Sequence, residues 1–543
     1  MEERNFNLEL MQIRRKISAD NEEKYTYAFK VGIAGEEFFA EVDEEKLERF
    51  EWVKLATHGR AMFYEKKSLD ERFYQLVHFE IERKLGSVPI SKMYVQNGWK
   101  NMDGVWRYVE GTGAIGPNCT NVYGNAEQKL LTSKGMLEMH AAIEFCEMHH
   151  IIKDVRKSEF LMAFVCGSVL ETLMEEVGYP IRFVTAIVGT TNSMKTSCAK
   201  VFSQFLNGGN DVELTFASTK GGLETYVPKY SDAILLVDDF MPADSKAEMN
   251  YQTLKLKSLL RMYGDRVATS RMAGDSTSRR PLNEVHGTCL ITGEILPGIR
   301  SSQTRVLQIS LKPGEVDTEY LGYFQKYPLT LPTFLRGFIA YVAGNIDNCL
   351  RLLKDHTEFY RKATNFSIPR YNEAAGQLRA VIDVVDEYLG TLGLDYEKFC
   401  QEWSASICSI IEENDQNLES ESYEKMLLDV LFEELNECGG PCALEELTAW
   451  GANKIYADSD CVYISQNKYH LLYKKYCQKH GKPEYLSKRD IVKKLVDAGV
   501  VLTEVDSDGC VRSSRKLCQS QGNRQRFLYM SKQSIGRVTG IYL

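Results

Sequence analysis

Residues Gly189, Thr190, Thr191, Asn192, Ser193, Met194, Lys195, Thr196 and Ser197 join a leading glycine to small polar residues, a lysine and a threonine. The segment follows an apolar run, IRFVTAIVG (181–189), and opens a helical one, TSCAKVFSQFLN (196–207). A glycine-led loop between a strand and a helix turns successive backbone N–H groups and the positive end of the helix toward an anion. The chemistry expected is phosphate binding. Residues 189–197 cradle a triphosphate, Lys195 neutralises its β and γ oxygens, and the Thr196 hydroxyl holds Mg2+. One residue departs from the pattern. A glycine usually precedes the lysine of such a loop, and here Met194 stands there, which fits only with a negative φ or with tolerated strain.

A second set follows 43 residues after Lys195: Ile234-Leu235-Leu236-Val237-Asp238-Asp239, an apolar run ending in two acids. Asp238 is expected to support the Mg2+ and Asp239 to polarise an attacking water. Thr292, at the end of TCLITGE (288–294), is placed to orient that water and sense the γ-phosphate. Arg305, or Arg300, is placed to reach across a subunit interface and stabilise transition-state charge, with Arg370 as a further sensor arginine. Between Asp238 and Thr292 lies GDRVATSRMAGDSTSRRPLNEVHG (264–287), two extended runs around Ala273-Gly274-Asp275. The expectation is a projecting β-hairpin whose Arg266, Arg271, Arg279 and Arg280 grip a DNA backbone through charge.

These residues need a scaffold. The runs 181–189, 232–239 and 288–294 have the length of buried parallel strands and lack polar alternation. Helical stretches separate them, which is the α/β pattern. The expected organisation is an α+β N-terminal domain (1–130), a P-loop ATPase domain with a helical lid (131–400), an acidic linker (401–425) and a C-terminal domain (426–543). In the first domain, 91–100 and 104–116 read as a strand pair turned at Asp103-Gly104. In the last, helices at 425–437, 443–451 and 467–480 precede LSKRDIVKKLVDAG (486–499). Ser487 and Asp490 in that segment have capping-box spacing. VVLTEV (500–505) and QRFLYMS (525–531) read as strands, and the whole spells a winged helix.

Charge supports a nucleic-acid partner at that end. The chain has 66 Lys and Arg against 75 Asp and Glu, a net −9, yet 471–543 has 15 against 6. An acidic body with a basic end points one module at an anion. Lys488, Arg489, Lys493 and Lys494 lie on the expected recognition helix. Arg512 and Arg515 lie on the wing, with Lys516, Arg524 and Arg526 beside them. No apolar run approaches the ~18 residues of a membrane span, and the N-terminus lacks a secretory h-region. The expected location is therefore the cytoplasm, with the 14 cysteines as free thiols. Cys438 and Cys442 have no second tight pair, so no structural zinc is expected, and His149-His150 reads as structural or surface.

Taken together, NGWK (97–100), GTTNSMKTS (189–197), FASTKGGLETYVPKYSDAILLVDD (216–239), CLITGE (289–294) and SSQTRVLQI (301–309) resemble a helicase-like ATPase family. That family comes from phages, plasmids and integrating elements, and was long catalogued as a domain of unknown function. It is similar to the cassette-chromosome replication helicases and, through the hairpin before the sensor strand, to MCM and superfamily 3 helicases. The resemblance implies an AAA+ core, a hexameric or similar ring, Mg-ATP hydrolysis between subunits, and translocation on single-stranded or forked DNA during replication of a mobile element or prophage. Lys195, Thr196, Asp238, Thr292 and Arg305 match family-like positions. Asp239 stands where AAA+ enzymes usually carry Glu and is one methylene shorter. That substitution, with Met194, favours the competing reading: an ATP-dependent DNA-binding switch or replication initiator without processive unwinding.

Overall fold

A computed structural model describes residues 4–18, 22–64, 69–209, 214–241, 246–268, 284–294, 304–420, 423–444, 453–480, 486–505, 511–517 and 525–539. The chain divides into two compact units, Met1–Asp415 and Gln416–Leu543.

The first unit is built around a five-stranded sheet. Its order is Leu214–Thr215, Ile234–Phe240, Thr288–Gly293, Val184–Val188 and Val306–Ser310, with every neighbouring pair parallel. The three runs expected as buried strands occupy its centre, and Val184–Val188 is buried at every position. Uniform burial is what a sheet covered on both faces requires. The strand carrying Thr292 lies between the strand before the phosphate loop and the strand carrying Asp238. The chemistry-bearing ends therefore lie side by side at one edge, where open α/β sheets bind ligands.

Helices complete this unit. Val155–Ser168 is buried along nearly its whole length, and Pro369–Thr391 starts on a proline, which loses no helical hydrogen bond there. The acidic stretch, expected as a linker or an exposed helix end, is helical: Glu397–Ser420 and then Tyr423–Cys438. Its acids and amides hold the body together. Asn414 bonds the Gln308 backbone N–H and C=O at 2.8 and 3.0 Å, and Asp415 accepts the Ser367 amide at 2.7 Å. Trp403 is fully buried.

The N-terminal part is α+β, with a sheet ordered Glu36–Asp43, Glu23–Ile33, Asn7–Ile17, Ile90–Tyr94 and Val122–Tyr123. Its core gathers Phe6, Phe29, Phe50, Trp52, Phe63 and Phe73. The expected pair at 91–100 and 104–116 divides between two sheets. Ile90–Tyr94 stays in the first sheet, while Gly98–Met102 pairs with Val105–Glu110 around Asp103 (φ 57°) and Gly104 (φ 81°). That is the primed turn an Asp-Gly pair favours. This hairpin is anchored in the body: the Trp99 indole N–H donates to the Val169 carbonyl at 2.8 Å and the Gln96 amide to that of Pro228 at 2.6 Å. A boundary at 130 therefore cuts through bonded structure.

In the second unit, Ser487 and Asp490 close the expected capping box at the head of Lys488–Asp497. The neighbouring helices are Tyr423–Cys438, Gln466–Lys479 and Lys532–Thr539. The sheet runs Cys442–Ala443, Tyr456–Ala457, Cys461–Ile464, Gln525–Ser531 and Arg515–Leu517. Of the helix expected over 443–451, Ala443 is in a strand, Leu444 is in a 3-10 turn, and the rest lie outside the described residues. Among the described residues, no helix is long and apolar enough to cross a membrane.

Candidate nucleotide site

The loop 189–194 leaves Val184–Val188 and enters the helix Lys195–Ser203. Gly189 is required by space: a Cβ there would stand 2.3 Å from the Leu311 carbonyl and 2.6 Å from Ser193 Oγ. Two non-glycine residues of the loop adopt left-handed backbone, Asn192 (φ 69°) and Met194 (φ 60°). Met194 thus resolves its misfit by strain, of order 1–2 kcal/mol for a residue with a Cβ. Strain held in place by its surroundings clusters at ligand sites.

Four predicted residues meet. Thr196 Oγ1 donates to Asp238 Oδ1 at 2.9 Å, and Thr292 Oγ1 donates to the same oxygen. Thr292 Oγ1 also accepts the Asp239 N–H at 3.0 Å. Thr191 Oγ1 donates to Glu294 Oε1 at 2.7 Å, tying the loop to the end of the Thr292 strand. The sheet register slips between Val237 and Phe240, and Asp239 takes φ 65°. Such a bulge re-aims side chains at a strand end. Asp238 is half-buried, Asp239 is exposed and Thr292 is fully buried. Lys195 is half-buried and has no ion pair among the described residues.

These residues fit Mg-ATP. Thr196 Oγ1 and Asp238 Oδ1 are hard oxygen donors of the kind Mg2+ takes, and they stand side by side. Ser193 Oγ is buried without a hydrogen-bond partner inside the loop.

Arg305 lies apart from this cluster. Its guanidinium contacts Asp265 at 2.8 Å and packs where a Gly264 Cβ would project. Burial, and then the nearby charges of Arg305 and Arg182 against that of Asp265, pull the Arg370 pKa below its usual value. Arg182 was not singled out from sequence; its only signal was its place just before the 184–188 strand. The distinctive FASTKGGLE segment is structural. Thr219 caps Lys220–Tyr226 by accepting the Gly222 N–H, and Glu224 is buried beside Lys220 at 3.5 Å and Ser258 at 3.3 Å. Lys255, unremarked in the sequence, holds this segment through the Phe216 and Ser218 carbonyls.

One expected DNA contact is corrected. Arg266 is 5% exposed, its guanidinium on Glu171 and the Gly287 carbonyl, so it has no surface to offer a backbone phosphate. Arg271, Arg279, Arg280 and Arg300 lie outside the described residues. Val267 bridges Glu284 antiparallel, and the residues expected to form a hairpin between them, 269–283, lie outside the described residues. In the second unit Lys488, Arg489 and Lys493 are exposed on one short helix, and Arg512 is exposed near the strand holding Arg515. Lys488 also bonds Asn467 at 2.7 Å, and Lys494 lies over the Tyr423 ring at 4.4 Å.

No family model matches the chain, and no curated protein matches it. Solved structures do. The SCCmec type IV Cch active helicase aligns with TM-score 0.61 and 10% identity over 98% of this chain and 95% of its own. The chain thus shares the fold of that protein over nearly its full length. The apo NrS-1 C-terminal region (305–718) aligns at TM-score 0.33 and 10% identity, over 93% and 94% of the two chains. An inhibitor-bound JCV helicase gives TM-score 0.24 and 15% identity, over 42% and 65%. These two alignments are too loose to bear on the fold.

Proposed function

We propose that this chain is an ATP-dependent DNA helicase or translocase with an AAA+ type P-loop core, working as a ring in replication of a mobile element or prophage. The observation that carries the reading is the meeting of two hydroxyls, Thr196 at 2.9 Å from the head of the helix after the loop and Thr292 from a strand end, on one oxygen of Asp238 at the end of another strand. The sheet order supports it, because a strand bearing a sensor-type threonine lies between the loop strand and the acidic strand. The shared fold with an active helicase agrees.

In this reading residues 189–197 bind the triphosphate and Lys195 neutralises its outer oxygens. Thr196 and Asp238 hold Mg2+, which supplies charge neutralisation at the phosphates when bound. Asp239 and Thr292 orient water. Arg305, Arg370 and Arg182, with Asp265 as the acid beside them, form a cationic group suited to a phosphate bound by a neighbouring copy. Lys488, Arg489, Lys493, Arg512 and Arg515 carry DNA on a winged-helix domain, chiefly through phosphates.

The second reading, a nucleotide-dependent switch or initiator, is favoured by the strained Met194 and the short, exposed Asp239. Phosphate release with and without single-stranded DNA, alongside strand displacement and a Lys195→Ala control, separates the two. DNA-stimulated turnover with unwinding supports the motor. Tight Mg-ATP binding with negligible turnover supports the switch.

A further inference from the structure

Glu294 is a further acid at this end of the sheet, beside Asp238 and Asp239. It follows Gly293, two residues beyond Thr292, and its backbone is held on both sides. The Gly293 carbonyl accepts the Gly189 N–H at 3.0 Å, and the Glu294 N–H donates to the Phe240 carbonyl at 3.1 Å. Gly293 is glycine because a Cβ there would lie 2.8 Å from that same Phe240 oxygen. Glu294 therefore starts from a fixed point between the first residue of the loop and the residue after Asp239. Its side chain is half-buried, and Oε1 accepts the hydroxyl of Thr191, four residues before Lys195, at 2.7 Å.

The two polar side chains of this strand end reach toward opposite neighbours in the sheet. Thr292 bonds the acidic strand, through Asp238 and the Asp239 N–H. Glu294 bonds the loop that follows the strand on the other side. Asp239 is poorly held by comparison. It is exposed, its left-handed backbone (φ 65°) follows the slip in register, and among the described residues only its N–H is bonded. A general base must stand within hydrogen-bond reach of the proton it takes. Glu294 already accepts one O–H at such a distance, and a water in the place of the Thr191 hydroxyl would meet the same oxygen.

We infer that Glu294 is a catalytic residue of the ATPase: it takes the proton of the water that Asp239 and Thr292 orient, and Thr191 holds its carboxylate beside the loop until that water arrives. This rests on the nucleotide-site reading, in which a triphosphate wrapped by 189–197 presents its outer phosphate to this strand end. The water oxygen bonds to the γ-phosphorus. The bond from that phosphorus to the bridging oxygen breaks, and its electron pair leaves with the diphosphate. The water proton passes to the Glu294 carboxylate and from there to solvent. Glutamate on the neighbouring strand thus supplies the reach that Asp239, one methylene shorter, lacks.

Glu294→Gln removes the base and keeps an amide oxygen to accept from Thr191. Phosphate release at saturating Mg-ATP and calorimetric Mg-ATP binding are measured in the full chain for wild type, Glu294→Gln, Asp239→Asn and Thr191→Val. Glu294→Gln is expected to lower the maximal rate at least about 100-fold, with Mg-ATP affinity within fivefold of wild type. Asp239→Asn and Thr191→Val each lose at least threefold less rate than Glu294→Gln. A smaller loss in Glu294→Gln overturns the inference, and so does a larger change in its affinity, which marks a binding contact. A loss in Asp239→Asn that comes within threefold of it places the base on the acidic strand and overturns the inference. The same result in Thr191→Val reduces Glu294 to a tether for the loop and overturns it too. Wild type that binds Mg-ATP and releases no phosphate overturns this inference and leaves the nucleotide site standing. Wild type that binds no Mg-ATP overturns the nucleotide-site reading itself, and this inference with it.

Discussion

Asp238→Asn is the most informative single change at the nucleotide site, because it preserves shape and removes charge. Asp238 Oδ1 accepts hydroxyls from Thr196 and Thr292, and both bonds are charge-assisted. Converting the acceptor to a neutral amide weakens each by about 1 kcal/mol. Together that is about 2 kcal/mol in the positioning of both hydroxyls, or roughly 30-fold in rate. Loss of the negative charge beside the Mg2+ position adds to this. Folding is spared: the amide oxygen still accepts, and the Asp239 N–H still donates to Thr292. Steady-state phosphate release at saturating ATP across a Mg2+ titration is expected to show at least a 30-fold lower maximal rate and a raised Mg2+ requirement. A rate within threefold of wild type with an unchanged Mg2+ curve refutes the assignment of Asp238.

Three further outcomes follow from the same geometry. Met194→Gly removes the left-handed strain and is expected to stabilise the chain by about 1 kcal/mol in urea unfolding; an unchanged or lower midpoint contradicts it. Burial pushes Glu171 up to about 7 and Asp232 up to about 6, while Glu175 raises His286 against its burial. In all three the folded state holds the proton more tightly than the unfolded chain, so their contribution is complete at low pH and is lost as pH rises through the folded values. Glu175, held low chiefly by His286 against its burial, acts in the opposite sense as pH falls; Arg266, Arg182, Glu284 and Lys100 complete the charged surroundings. Between pH 4.5 and 7 the urea midpoint of Glu171→Gln should therefore fall less steeply than that of wild type, and parallel curves contradict the assignment. Finally, replacing Lys488, Arg489 and Lys493 together by Ala should lower the slope of log K against log salt for DNA binding by about 2 to 3; an unchanged slope removes this helix from the interface.

The grouping of the candidate nucleotide-site residues was legible in the sequence because apolar runs of strand length mark the strand ends where several of them lie. Gly189, Asp238 and Thr292 each sit where such a run stops, and Lys195 and Thr196 open the helix after the first of them. The Asp103-Gly104 turn and the Ser487–Asp490 cap were legible for the same reason: each is satisfied within a few residues. What escaped depends on distant partners. Arg266 reads as one more arginine in a basic stretch, and only the fold reveals Glu171, 95 residues upstream, buried against it. The acids of 412–425 read as a linker or an exposed helix end, yet Asn414 and Asp415 turn inward onto backbone groups 106 and 48 residues away. Composition reports charge, whereas burial decides whether a charge faces solvent or an internal partner. Met194 shows a different gap: the sequence flagged the misfit, and only the backbone shows that it is met by left-handed strain.

Calorimetric binding of ATP with and without Mg2+ to wild type, Lys195→Ala and Thr196→Ala tests the central claim most directly. The account predicts a Mg2+-dependent affinity in wild type that falls at least tenfold in each variant, with the Mg2+ dependence abolished in Thr196→Ala. Equal affinities in all three chains would contradict a triphosphate held at residues 189–197.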